Sequence, residues 1–142
     1  LQACEEIGAA LVGFSPVGRG LLTDRPHQEE SISKMPFLAT NPRFIEPNLS
    51  LNLSYNSRFR AVASEFGVPA ASLAVAWLLT RGDHVHAIPG TRNVKHLKEL
   101  ALGGSLTVSA EMCERIEQVL PVGWAHGDRY STEQWKGPER FS

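Results

Sequence analysis

Two short segments hold side chains whose types and spacing suit the binding of a phosphorylated ligand. In Phe14-Ser15-Pro16-Val17-Gly18-Arg19-Gly20 a hydroxyl, two glycines and a guanidinium stand close together. Gly18 and Gly20 allow a tight turn and a close approach of backbone to ligand. Successive amides in such a turn can form an anion-binding concavity. The planar fork of Arg19 fits phosphate oxygens, and Phe14 offers a ring face to a flat heterocycle. An exposed turn with an arginine for solubility accounts equally well for this segment alone. In Ile88-Pro89-Gly90-Thr91-Arg92-Asn93, Asn93 can cap a helix whose free amides and dipole favour an anion. Thr91 and Arg92 add a hydroxyl and a second guanidinium, and His96 and Glu99 follow at one-turn spacing, a set suited to a phosphate plus a purine ring. Taken singly, it reads as an ordinary helix cap.

The surrounding pattern brings the two together. Leu1, Cys4 and Ile7 repeat at helical spacing up to Gly8, and Ala10 to Phe14 reads as a buried strand bounded by Gly8 and Ser15-Pro16. Arg25 to Asn56 is rich in Pro, Asn and Ser, and loops of that length are functional lids or contain short helices. Arg58 to Phe66 is expected to be a helix with Phe59, Val62, Ala63 and Phe66 on one stripe, ended by Gly67. Pro69 opens a helix from Ala70 to Arg81 that is apolar nearly all round and therefore buried. His84 to Ile88 is a second strand. Val94 to Leu102 is a helix with Val94, Leu97 and Ala101 facing inward, and Ser109 caps a last helix striped by Met112, Ile116, Val119 and Leu120. The tail from Pro121 is irregular, with Trp124 and Trp135 available to pack it down. Short strands alternating with helices imply βα units and parallel pairing. Two parallel strands leave faces and edges uncovered, so more strands are expected than 142 residues supply here. The absent initiator Met at Leu1 points the same way, to a chain that starts within a fold.

Composition narrows the partners. The formal charge is −1, whereas nucleic acid and anionic membrane surfaces call for a cationic face. No apolar run approaches the roughly 20 residues of a membrane helix. A hydrophobic content of 42% argues against disorder. Two cysteines, Cys4 and Cys113, far apart and outside any CxxC pattern, argue against a disulfide scaffold or a zinc site and fit a reducing cytosol, so a cytoplasmic location is expected. His84 and His86 alternate along a strand as a metal pair does, but no third ligand lies near in sequence, and ordinary histidines are the simpler account. In an eight-stranded parallel barrel the ligand sits at the carboxyl ends of the strands, with a phosphate site after the seventh and eighth. Two consecutive strands ending in phosphate-suited loops fit that arrangement.

The segments Phe14 to Leu22, Asn41-Pro42-Arg43-Phe44, Leu73 to Leu79, Ile88 to Arg92 and Gly127-Asp128-Arg129-Tyr130 occur in the order seen in aldo-keto reductases. From Ile7 to Tyr130 the chain resembles that family, closest to the bacterial and plant branch with a PGT loop. The resemblance implies the C-terminal portion of a single (β/α)8 barrel domain over residues 1–142: its last two strands, their helices and a C-terminal extra helix. It also implies an NADP cofactor. Phe14 resembles the residue stacked on nicotinamide, and Ser15, Pro16, Val17, Gly18 and Arg19 the loop spanning the pyrophosphate. Gly90, Thr91 and Arg92 resemble the 2′-phosphate loop, and His96 and Glu99 the residues flanking the adenine ribose. Leu100 replaces the usual adenine-contacting Asn, and His96 replaces an Arg of many members, two departures that bear on cofactor affinity and NADP preference. Ser31 to Asn52 corresponds to part of a lid over the cofactor.

The family's catalytic Asp, Tyr, Lys and His have no counterpart here, and Tyr55 and Tyr130 lie in loop and tail rather than at strand ends. The implied function is NADP(H)-dependent reduction of aldehydes or ketones, with this chain supplying cofactor loops and no catalytic residue. A small carbonyl compound is then the substrate, and the rest of the barrel or another chain is needed for stability. The rival is a non-catalytic dinucleotide-binding or regulatory module of the same type; a nonfunctional relic is a third possibility.

Overall fold

Two four-residue apolar stretches form the expected strands, β1 (Leu11–Phe14) and β2 (Val85–Ile88). In the computed structural model, which describes residues 1–135, they pair in parallel with Leu11 opposite Val85 and Phe14 opposite Ile88. A parallel pair needs a long crossover. Helix α1 (Gln2–Glu6) leads into β1. Short helices α2 (Glu29–Ile32) and α3 (Pro36–Ala39), a 3-10 turn at Pro42–Phe44, and the longer α4 (Asn48–Glu65) and α5 (Ala70–Leu79) lie between the strands. Helices α6 (Val94–Gly103) and α7 (Ala110–Val119) follow β2.

The core lies where α4, α5 and α7 meet. Phe59, Val62 and Ala63 of α4 pack on Ala70, Leu73 and Ala74 of α5 and on Met112 and Ile116 of α7. Every residue of α5 from Ala70 to Ala76 is buried, as its all-round apolar sequence requires. Gly67, at φ +66, ends the turn after α4, Pro69 caps α5, and the two helices meet at 87°. Among the described residues no single helix is long and apolar enough to cross a membrane. The caps are those expected: Asn93 Oδ1 accepts from the amides of Lys95 (2.8 Å) and His96 (3.5 Å), and Ser109 Oγ accepts from Met112 (3.1 Å).

Four expectations are corrected. First, β1 is only half buried: Gly13 lies against Leu78, while Val12 and Phe14 on the opposite face are 54% and 49% exposed. His86 and Ile88 share that face, so the sheet is covered by α5 on one side only. Second, the stretch Arg25 to Asn56 holds the short helices α2 and α3, one of the two outcomes expected of it, but α4 begins at Asn48 rather than near Arg58, because tertiary hydrogen bonds override the weak helix propensity of its asparagines. Third, α5 ends at Leu79, short of Arg81.

The fourth concerns α6, which does not turn Val94, Leu97 and Ala101 inward. Val94 and Leu97 are 71% and 56% exposed and Ala101 is exposed; Leu100 and Gly103 face α5 instead. The reason is local. Gly103 comes so close to α5 that an added Cβ would lie 2.6 Å from the Ser72 carbonyl oxygen and 2.7 Å from Val75 Cβ. The smallest residue of α6 thus fixes which face docks. The tail after Pro121 is irregular as expected, with Trp124 5.9 Å from Tyr55 and Trp135 5.0 Å from Tyr130 between ring centroids; residues 136–142 lie outside the described residues.

Candidate functional site

Because β1 and β2 are parallel and Phe14 is in register with Ile88, the segments Ser15–Gly20 and Pro89–Asn93 both leave the same end of the sheet. Val17 of the first packs against the cluster of Ala71, Val75 and Leu100, the last on α6, the helix that the second segment starts. The turn after β1 is strongly contorted. Ser15 (φ 50), Gly18 (58), Arg19 (55) and Gly20 (94) all adopt left-handed backbone, two of them non-glycine residues that pay strain to do so. Gly20 is needed here, since a Cβ would meet His27 at 2.9 Å. The amides of Gly18, Gly20, Leu21 and Leu22 donate to carbonyls inside the turn, so they are not aimed at a ligand. At this turn the positive charge available to an anion is carried chiefly by guanidiniums.

A cavity of about 160 Å3 lies beside this turn, lined by Phe14, Ser15, Gly18, Arg19, Arg43, Phe44 and Arg129. Arg43 and Arg129 were not singled out as site residues from sequence. Burial depresses the pKa of the Arg43 guanidinium, and the charges of Arg129 and Arg19 push it the same way, while Asp128 opposes them. Arginine stays protonated regardless, so three like charges crowd one small space. Among the described residues, no carboxylate lies within ion-pair distance of any of the three. The Arg19 guanidinium sits 5.1 Å from the Phe37 ring and 4.7 Å from the Tyr130 ring and donates to the Arg129 carbonyl at 2.8 Å.

The first face of α4 holds this arrangement together through asparagines four residues apart. Asn48 Nδ2 donates to the Pro42 carbonyl at 2.9 Å. Asn52 Nδ2 donates to the carbonyls of Arg43 (2.9 Å) and His126 (3.0 Å), and its Oδ1 accepts from the His126 amide (2.8 Å). Asn56 Nδ2 donates to the carbonyls of Leu21 and Thr23, just past the contorted turn. Asn41, also fully buried, donates to Arg129 and Gln134 and accepts from the Arg43 amide. The spacing Asn48, Asn52, Asn56 is legible in sequence as one helix face, but polar residues there read as solvent-facing.

The second segment is more open. Thr91 Oγ1 accepts from the Asn93 amide at 3.2 Å, and Asn93 itself caps Lys95 and His96, so these α6 amides are satisfied internally. Gly90, Thr91, Arg92 and His96 are exposed. Glu99 is half-buried, and its carbonyl accepts from Ser72 Oγ at 2.6 Å. Arg92 lines a different cavity from Arg19: one of about 590 Å3 shared with Arg25, His27, Glu30, Lys34 and Met35 of the segment between the turn and α3, its one carboxylate paired with Lys34. The expectation of one groove reached by both arginines is thus corrected to two cationic cavities, linked by the stretch from Gly20, packed against His27, to Lys34. The cause is the contorted turn, which swings Arg19 toward Phe37 and the tail. Leu100 is buried against α5 and is not placed to face a ligand. Tyr55 packs with Trp124 and His126, and Tyr130 with Phe37 and Trp135.

Comparison with known proteins gives consistent results. The profile described as "Aldo/keto reductase family" matches residues 1–121. The Glycine max protein named "Probable aldo-keto reductase 1" is 31% identical over 98% of this chain, and the chain spans 39% of its length. A Schizosaccharomyces pombe protein named aldo-keto reductase yakc, NADP(+), is 32% identical over 70% of the chain, which covers 29% of that protein. Among solved structures, a glycerol dehydrogenase from Gluconobacter oxydans superposes with a TM-score of 0.67 at 20% identity, covering 93% of this chain and 39% of that one. A thermostable aldo-keto reductase solved with the inhibitor epalrestat gives a TM-score of 0.55 at 21% identity, over 83% of this chain and 32% of that one. These likenesses show a mixed α/β fold of (β/α)8 type, of which the two parallel strands and their helices are part.

Proposed function

The chain belongs to the aldo/keto reductase family, and from that premise we propose that it supplies the NADP(H)-binding loops of a barrel oxidoreductase that reduces aldehydes or ketones. One observation carries this reading. Two in-register parallel strands end side by side, and the loops that leave them each border a cation-lined cavity. Strand carboxyl ends are where parallel barrels bind ligands. The residues fit the cofactor: Arg19 and Arg43 offer two guanidiniums to the diphosphate bridge, and Arg92, with Arg25 beside it and Lys34 paired to Glu30 in the same cavity, suits the 2′-phosphate. Phe14, 49% exposed at the strand end with the Arg129 guanidinium 5.8 Å from its ring centroid, offers its ring to the nicotinamide. When bound, the cofactor supplies the hydride.

What this chain's residues do is bind and orient. Ser15, Pro16, Val17 and Gly18 shape the turn, Gly90 and Thr91 shape the second loop, and His96 and Glu99 border the ribose. We assign neither Tyr55 nor Tyr130 as the proton donor that carbonyl reduction requires, since Tyr55 packs with Trp124 and His126 and Tyr130 with Phe37, Trp135 and the Arg19 guanidinium. In this reading the exposed face of Val12, Phe14, His86 and Ile88 is covered by further strands of the same barrel domain, from the same polypeptide or another chain. The engagement of both tyrosines is also what favours a second reading, a non-catalytic dinucleotide-binding module.

The experiment is a titration of NADPH into the intact protein, followed by nicotinamide fluorescence, with inorganic pyrophosphate as competitor. Saturable binding is expected, displaced by pyrophosphate and weakened by salt, because exposed charges are screened over about 10 Å at 0.1 M. A flat titration would eliminate both readings; binding without carbonyl reduction would select the module.

A further inference from the structure

The family profile ends at residue 121, and the segment beyond it folds back onto the cavity beside Phe14. Asn52 grips His126 through both its amide and its carbonyl. The Gly127 carbonyl accepts from Arg43 Nε at 3.3 Å. Gly127, at φ +84, sits so close to the Pro42–Phe44 turn that a Cβ would lie 2.7 Å from the Pro42 carbonyl oxygen and 2.8 Å from Asn48 Nδ2. The Arg129 carbonyl accepts from both Arg19 Nη1 (2.8 Å) and Asn41 Nδ2 (2.9 Å). This seat therefore uses the backbone of Arg129 and leaves its side chain for another task. That guanidinium lies 5.8 Å from the Phe14 ring centroid, lines the cavity, and has no hydrogen-bond or ion-pair partner among the described residues.

Resting on the dinucleotide reading above, we infer that Arg129 is a further anion-binding residue for the cofactor's diphosphate, delivered by the C-terminal segment, and that diphosphate binding and docking of residues 126–135 are one coupled event. Docking the segment brings a third positive charge beside Arg19 and Arg43, which opposes docking. An anion in the cavity removes that opposition. By linkage, the diphosphate then favours the docked segment, and the docked segment raises diphosphate affinity by the same factor. A cavity of about 160 Å3 far exceeds the ~10–15 Å3 needed for one water and admits a phosphate-sized group.

The test compares the wild type, Arg129→Ala, Arg129→Lys and Arg19→Ala in the intact protein. Two quantities are read: the dissociation constants of NADPH and inorganic pyrophosphate, and the rate of proteolytic cleavage within residues 121–135. Arg129→Ala is expected to weaken both ligands by roughly tenfold or more, as for loss of a charge-assisted contact, while Arg129→Lys recovers part of the loss. Pyrophosphate is expected to slow cleavage of the wild-type segment and not of Arg129→Ala, whose cleavage without ligand should be slower than that of the wild type because the opposing charge is gone. Unchanged affinities in Arg129→Ala alongside weakened binding in Arg19→Ala would overturn the inference and leave the dinucleotide site standing. Wild-type protein that binds neither ligand would fell both.

Discussion

Asn52→Ala is expected to release the C-terminal segment and cost several kcal/mol of stability, a large effect for a polar residue on a helix. Asn52 is fully buried, and three groups depend on it: the carbonyls of Arg43 and His126 and the amide of His126. Each buried group left without a partner costs roughly 1–3 kcal/mol, less where water can reach it. Asn52→Asp separates hydrogen bonding from volume, since its retained oxygen can still accept from His126 while a second oxygen replaces the donor facing two carbonyls. It should therefore be no better tolerated than alanine. Denaturant unfolding gives the free energy, and near-UV circular dichroism of the Tyr55–Trp124–His126 cluster reports the segment. An Asn52→Ala protein of wild-type stability with an unchanged aromatic signal would show that this helix face is not the anchor.

Arg92→Ala is expected to weaken NADPH binding by about 1–3 kcal/mol, as for a charge-assisted contact, and to leave NADH nearly unaffected. The two cofactors differ only by the 2′-phosphate, so the difference isolates that group. Arg92 is exposed, and the nearby Arg25 adds positive charge to the same cavity, while Lys34 is partly engaged by Glu30 at 3.2 Å. Part of the effect is therefore expected to vanish at high salt. Equal losses for NADPH and NADH, measured by competitive titration, would remove Arg92 from the 2′-phosphate.

Much of this molecule can be read from local pattern. The strands at Leu11–Phe14 and Val85–Ile88, the apolar α5, and the caps at Asn93 and Ser109 all follow from short-range rules and appear as expected. What escapes such rules depends on contacts far apart in sequence. The N-terminal half of α4 looks like loop because asparagines disfavour helices in isolation, yet here they bond to three separate backbone segments. The inward face of α6 looks like Val94-Leu97-Ala101 by hydrophobicity alone, yet the close approach of Gly103 to Ser72 decides it. Arg43 and Arg129 are separated by most of the chain, and although both lie in segments that carry the family resemblance, their spacing does not show that they converge on Phe14. The pattern puts Arg19 and Arg92 on neighbouring strand-end loops, and the left-handed backbone at Ser15 and Arg19 that sends Arg19 into a separate cavity is unusual for those residue types.

The central claim is that the ends of two neighbouring strands hold one dinucleotide between them. Amide chemical-shift mapping of the intact protein during NADP(H) titration tests it most directly. Shifts are expected at Ser15–Gly20 and at Gly90–His96, both reaching half-saturation at a single ligand concentration. Shifts confined to one of these loops, or saturating at two different concentrations, would contradict it.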